Sequence, residues 1–365
     1  MGRIFGIDVD LDYSWFLIFG LLTWMLAVSY FPNEFKNWST PEYWFLGALT
    51  AVIFFVSVLL HELGHSLVAM RYKVRVTRIT LFIFGGVSQI AGEPPSARAE
   101  FWIALAGPIV SLTLAGLFFV LQLLLAPFSP LLATAKYLAL INVMLALFNL
   151  IPGFPLDGGR VFRAIVWGIS HNFRKATLIA ADTGRFVGFF FIAFGVWLAV
   201  RGNFFNGLWI AFIGWFLESA AAAQVQQQVM QALLAGHKVS EAMGRDYATV
   251  PADTTLERVV HDHILTSGRR SFVIMSDSEV VGLLTLPVIR KIPRAQWSTT
   301  TALEALIPAE QMQSIRPDAD LWTALEQMGR NGVAQLPVMK EKTILGMLSR
   351  DDVIHYLGLL QALKA

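Results

Sequence analysis

Long apolar runs separated by short polar breaks occupy the first two thirds of the chain. Runs able to cross a bilayer as a helix, which takes about 20 residues, lie at Tyr13 to Phe31, Trp44 to Met70, Phe101 to Phe128 and Leu131 to Ile151. Two more, Phe186 to Val200 and Phe204 to Ala223, flank Arg201-Gly202-Asn203. The pattern predicts six transmembrane helices, the fifth reaching full length only if it begins near Ala176. Between the second and third runs, Val76 to Ile90 is β-branched and aromatic, too short to cross, and broken by Gly85-Gly86, which predicts a hairpin near the membrane surface. Non-helical backbone at that depth needs protein or a water-filled cavity to satisfy its polar groups. The hairpin is therefore expected beside a cavity.

After Gln224 charges become frequent and a pattern repeats. Val250-Pro251-Ala252-Asp253 corresponds to Arg316-Pro317-Asp318-Ala319, and Gly282-Leu283-Leu284-Thr285 to Gly346-Met347-Leu348-Ser349. Each copy predicts a helix (Leu256 to Thr266; Leu321 to Asn331), a strand (Phe272 to Met275; Leu336 to Met339) and a second strand ending in the glycine-to-hydroxyl segment. The expected fold is an α-helical polytopic membrane domain with a short membrane-associated β-hairpin over 1–225, a linker over 226–237, and a cytoplasmic α/β pair over 238–295 and 296–365.

Composition narrows the chemistry. The chain is 55% hydrophobic and 15% charged, against about 25% charged for a soluble domain, which excludes an ordinary soluble enzyme. A net charge of +2 without a basic stripe excludes nucleic acid as a partner. The absence of cysteine excludes disulfides, thiolate metal sites, iron–sulfur clusters and thiol nucleophiles, leaving His, Asp and Glu to hold any metal. Asp8, Asp10 and Asp12 precede the first run and no small-residue cleavage site follows Tyr30, so that run is read as a span, not a signal peptide. Basic residues gather at Arg71, Lys73, Arg75, Arg78 and Arg98, and again at Arg160, Arg163, Arg174 and Lys175, whereas the alternate loops offer Lys36, Lys136 and Arg201. This asymmetry predicts a multi-pass protein of the cell membrane with both termini cytoplasmic.

His61-Glu62-Leu63-Gly64-His65 ends the second run. On a helix His61 and His65 share a face one turn apart, so both imidazoles can bind one zinc ion while Glu62 reaches toward a metal-activated water. Ordinary polar residues at a helix end are the alternative. Against it, a charged side chain at mid-membrane costs roughly 2.5–3.5 kcal/mol on an insertion scale. A hydrolytic zinc site needs a third protein ligand and an open position. His171, His237, His261, His263 and His355 are poorly placed, which leaves Asp157 in Asn149-Leu-Ile-Pro-Gly-Phe-Pro-Leu-Asp157-Gly-Gly-Arg160, or else a loop aspartate that merely caps a helix. Asp182 and Arg185, three apart, read as an ion pair, and Glu218 as reaching water.

The HELGH segment, the Asn149 to Gly159 segment and Ala106-Gly107-Pro108 together resemble the site-2 protease family of intramembrane zinc metalloproteases. The resemblance implies His61, His65 and Asp157 as ligands of one zinc ion per chain and Glu62 as general base and acid. It also implies that the hairpin, with Gly85 and Gly86, and Asn149 contact an extended substrate, a membrane-embedded regulatory protein cut in or near its transmembrane segment. No PDZ-like insertion is present. The repeat is similar to a pair of CBS domains, which implies an adenine nucleotide as regulator, with Ser349 at phosphate and Asp352 at ribose, and a homodimer through the pair. The first copy keeps Thr285 but has Val288 at the ribose position. A nucleotide-regulated transporter and a catalytically inactive membrane scaffold are the competing classes.

Overall fold

The apolar runs form helices, and four of those helices start at a polar residue whose side chain caps them: Asp12, Ser39, Ser96 and Asn172. In the computed structural model, which describes residues 2–364 other than 37, 84, 92, 126–128, 278 and 342, α1 spans Tyr13–Glu34 and includes a π-helical turn at Leu26–Tyr30. Thr40–Arg71 forms α2, Ala97–Leu124 α3, Ser129–Asn149 α4, Asp157–Ser170 α5, Phe173–Val200 α6 and Phe204–Leu234 α7. Six of these, all but α5, are long and apolar enough to cross a membrane. The Asp12 carboxylate accepts from the Ser14 N–H at 2.9 Å and caps α1. Ser39 and Glu42 form a capping box at α2, and the Ser96 hydroxyl accepts from Ala99 N–H at α3. The fifth span begins at Phe173, early enough to reach full length. The expected end of the third, Phe128, lies outside the described residues.

Two compact units divide the chain, Met1–Gln228 and Val229–Ala365. In the first, the expected hairpin forms from β3 (Arg75–Phe82) and β4 (Gly85–Ala91), and it is half of a larger sheet. The residues before α1 supply β1 (Gly2–Ile4) and β2 (Ile7–Leu11), giving the order β1-β2-β3-β4 with β2 parallel to β3. The alternation of Ile7 and Val9 with Asp8 and Asp10 is the physical reason. The apolar pair is buried, Ile7 beside Leu63, Ile79 and Ile103, while Asp8 pairs with Arg3 at 3.2 Å and Asp10 with Arg78 at 2.9 Å. One edge of the sheet is β4, above the end of α2.

Charged residues within the spans pair between helices. Arg185 Nε donates to Glu218 Oε1 at 3.3 Å, linking α6 to α7, so the pairing of Arg185 with Asp182 expected from their spacing is corrected, while Glu218 keeps a partly exposed side chain. Gly195 faces Gly207 and Ala211 so closely that a Cβ would lie 2.4 Å from the Ala211 nitrogen. This is the small-residue contact that membrane helices use in place of a hydrophobic driving force.

The second unit holds a four-stranded sheet, β5 (Thr249–Pro251), β6 (Ser271–Ser276), β7 (Glu279–Thr285) and β8 (Ile307–Pro308), and a two-stranded one, β9 (Gln335–Lys340) with β10 (Thr343–Ser349). The cores cross the sequence repeat. Leu234 and Val239 pack with Leu321, Leu336 and Leu348, whereas Ala302 and Ala305 pack with Val250, Leu256 and Phe272. The helix expected over Leu256 to Thr266 is interrupted by a π-helical stretch at Val259–Ile264. Residues 226–234 continue the helix of the last span.

Candidate metal centre

The last turns of α2 carry His61, Glu62 and His65, the two histidines each 3% exposed. Their Nε2 atoms are 3.2 Å apart, and Asp157 Oδ2 is 3.1 Å from each. Among the described residues these three form the group of side chains whose donor atoms lie close enough to hold a metal ion. Tetrahedral zinc with bonds of 2.0–2.1 Å places its donors about 3.4 Å apart, so the observed triangle needs to open by only a few tenths of an ångström.

The back of each ring is held by α3. His65 Nδ1–H donates to the Ile103 carbonyl at 2.7 Å, which leaves the Nε2 lone pair facing Asp157. His61 Nδ1 lies 2.8 Å from Ser111 Oγ. Between these two anchors sits Gly107, where a Cβ would lie 2.2 Å from His65 Nε2 and 2.6 Å from His61 Nε2. The cradle is thus lined by three lone-pair donors and floored by a residue that cannot be larger. The donor set fits a cation.

Asp157 arrives from a different element than its position in the sequence suggests. The fourth span ends at Asn149, and after the loop over 150–156 Asp157 is the first residue of the separate helix α5. Its two following glycines permit the reversal. A Cβ on Gly158 would lie 2.3 Å from the Leu150 carbonyl oxygen, and one on Gly159 2.3 Å from the Gly153 carbonyl carbon. Asn149 stands at the entry to this loop, part-buried.

Glu62 faces the sheet edge. Ser88 Oγ on β4 donates to Glu62 Oε2 at 2.6 Å, and a Cβ on Gly86 would lie 2.4 Å from Glu62 Cγ. Gly85 opens β4 opposite Phe82, with φ +127. Sequence reasoning missed Ser88, Ser111 and the Ile103 carbonyl. The first two are common residues on pattern-conforming segments, and a backbone carbonyl has no sequence signal at all.

In the second unit a cavity of about 710 Å³ is lined by Thr285 and Ser349, one from each repeat, and by Arg270, Arg290, Arg350 and Asp351. Asp352 is engaged elsewhere. Its Oδ2 accepts from the Ser349 N–H at 2.8 Å and hydroxyl at 2.6 Å, and its own N–H donates to Ser349 Oγ at 3.0 Å, a reciprocal cap on the C-terminal helix.

Six apolar helices with paired histidines and a neighbouring glutamate on one of them, and an aspartate closing the triangle, define a membrane metalloprotease. Peptidase family M50 matches residues 49–136 and 125–195, and the CBS domain matches 239–292 and 304–359. Rip3 of Mycobacterium tuberculosis is 35% identical over 97% of this chain and 91% of its own length. Zinc metalloprotease MJ0392 of Methanocaldococcus jannaschii is 26% identical over 98% and 96%. The solved site-2 protease from Methanocaldococcus jannaschii is 30% identical, covering 62% of this chain and 94% of that one with a TM-score of 0.43. The chain belongs to peptidase family M50, the site-2 proteases, and is a multi-pass membrane zinc metalloprotease carrying a CBS pair.

The contact at Gly107 generates a test. Gly107→Ala should displace both imidazoles and lower bound zinc severalfold while far-UV circular dichroism is unchanged. Full zinc content in that variant, by mass spectrometry of the purified protein, would contradict the close approach.

Proposed function

We propose that His61, His65 and Asp157 hold one zinc ion and that Glu62 is the general base and acid for hydrolysis of a peptide bond in or near a transmembrane segment. The observation that carries this is the convergence of the three donors on a space that Gly107 keeps clear, with Glu62 adjoining it. A zinc ion held there would polarise the scissile carbonyl and bring the pKa of a water down toward neutrality. Glu62 takes the proton from that water and returns it to the departing amine. The outer edge of β4 offers unpaired backbone groups to an extended substrate, and Gly85 and Gly86 let that substrate approach closely. Asn149, where the Asp157 loop begins, contacts the same extended segment. The substrate class is a membrane-bound regulatory protein, and the basic loops support a cell-membrane location with both termini cytoplasmic.

The CBS pair takes an adenine nucleotide in its cavity. The arginines at 270, 290 and 350 meet phosphate, as does the Ser349 hydroxyl once it turns from Asp352, and the pair modulates cleavage and forms a homodimer. Asp352 reaches ribose only by leaving its cap.

Glu62→Gln should keep near one zinc per chain and lower cleavage of a reconstituted membrane substrate by about 10²–10⁴-fold, the usual worth of a general base; undiminished cleavage would remove Glu62 from the mechanism. Titrating the full-length protein with AMP, ADP and ATP should raise its melting temperature with at least one of them, and Ser349→Ala should weaken the effect. No shift with any nucleotide would leave the cavity without this role.

A further inference from the structure

A charged pair buried away from the metal centre is not used by this chemistry. Glu100 on α3 is 0% exposed and Arg163 on α5 is 8% exposed. Arg163 Nε donates to Glu100 Oε1 at 2.7 Å, its Nη2 contacts the same oxygen, and Nη1 donates to Thr177 Oγ1 at 3.4 Å. The guanidinium also lies over two aromatic rings, 4.9 Å from the centroid of Phe154 and 4.6 Å from that of Phe173. Such a pair is weak evidence of stabilisation, because a buried ion pair can often be replaced by apolar side chains at no net cost.

Three observations converge. Arg163 sits on the helix that Asp157 begins, six residues on, which is about 9 Å along the axis at 1.5 Å per residue. The start of that helix has no side-chain cap, since its N-cap residue is Leu156, so other contacts must fix it. Phe154, on which the guanidinium lies, belongs to the loop that leads into Asp157, and its N–H donates to the Ala180 carbonyl on α6. At the other end, Glu100 shares one face of α3 with Ile103, Gly107 and Ser111, at spacings of three, four and four residues. That face holds both histidine rings and floors the cradle.

We infer that the Arg163–Glu100 pair positions Asp157, tying the third metal donor to the same helix face that fixes the other two. Arg163 and Glu100 are positioning residues that touch neither metal nor substrate. The inference rests on the zinc site proposed above. It goes beyond that site by assigning α3 as the common frame for all three donors.

The test is a double-mutant cycle on zinc affinity, measured by competition with a chromophoric chelator on the purified full-length protein. Arg163→Gln should weaken zinc binding by about 10-fold or more, the usual effect of losing a residue that orients a ligand. In an Asp157→Ala background the same substitution should change affinity by less than about twofold, because the group it acts through is gone. The cobalt-substituted protein adds an independent readout: the visible absorption of Arg163→Gln should move toward that of Asp157→Ala. Arg163→Lys keeps the charge but lacks the planar fork, and should show a smaller loss with the same dependence on Asp157. It serves if Arg163→Gln does not fold. Equal losses in both backgrounds would overturn the inference, as would wild-type affinity and cobalt spectrum in a folded Arg163 variant. Wild-type protein unable to bind zinc would instead refute the metal-site reading beneath it.

Discussion

Three polar donor atoms must meet inside an apolar bundle, and the space between them must stay clear of protein. The first half of that constraint is met by supporting the donors from behind. The histidine rings face Asp157 because Ser111 and the Ile103 carbonyl hold their far nitrogens, and a buried imidazole without such a partner would carry a desolvation cost. The second half is met by glycine. Gly107 is the only residue type that leaves the Nε2 atoms room, and Gly158 and Gly159 allow the chain to fold back and deliver the carboxylate.

From this constraint the placement of the sheet follows. A protease acting on a transmembrane segment must expose a peptide bond that a helix shields with its own hydrogen bonds, and an edge strand offers an alternative partner. Strand β4 is an edge of this sheet and touches Glu62 through Ser88 and Gly86. The sheet is stiffened from its far side by β2, whose buried Ile7 and outward Asp10 bind the N-terminal residues to the hairpin. The edge strand and Glu62 are therefore mechanically one assembly.

Much of this was legible in the sequence where the signal is local. Span positions follow from apolar runs, and the His61, Glu62 and His65 cluster follows from helical spacing. The segment around Asp157 announced a chain reversal through its prolines and glycines. What escaped was non-local: β2 has five residues and acquires its meaning only by pairing with a hairpin some seventy positions later. Arg163 read as one of several basic loop residues, and nothing in its neighbourhood pointed to Glu100. In the C-terminal unit the Ser349 to Asp352 pattern suits both a helix cap and a nucleotide contact, and the structure displays the cap.

The most direct test of the account is the zinc K-edge X-ray absorption spectrum of the purified protein. It predicts a four-coordinate shell of two imidazoles with carboxylate and water oxygen, at about 2.0–2.1 Å, losing its two-imidazole scattering in His65→Ala. An oxygen-only six-coordinate shell, or a spectrum indifferent to His65, would contradict it.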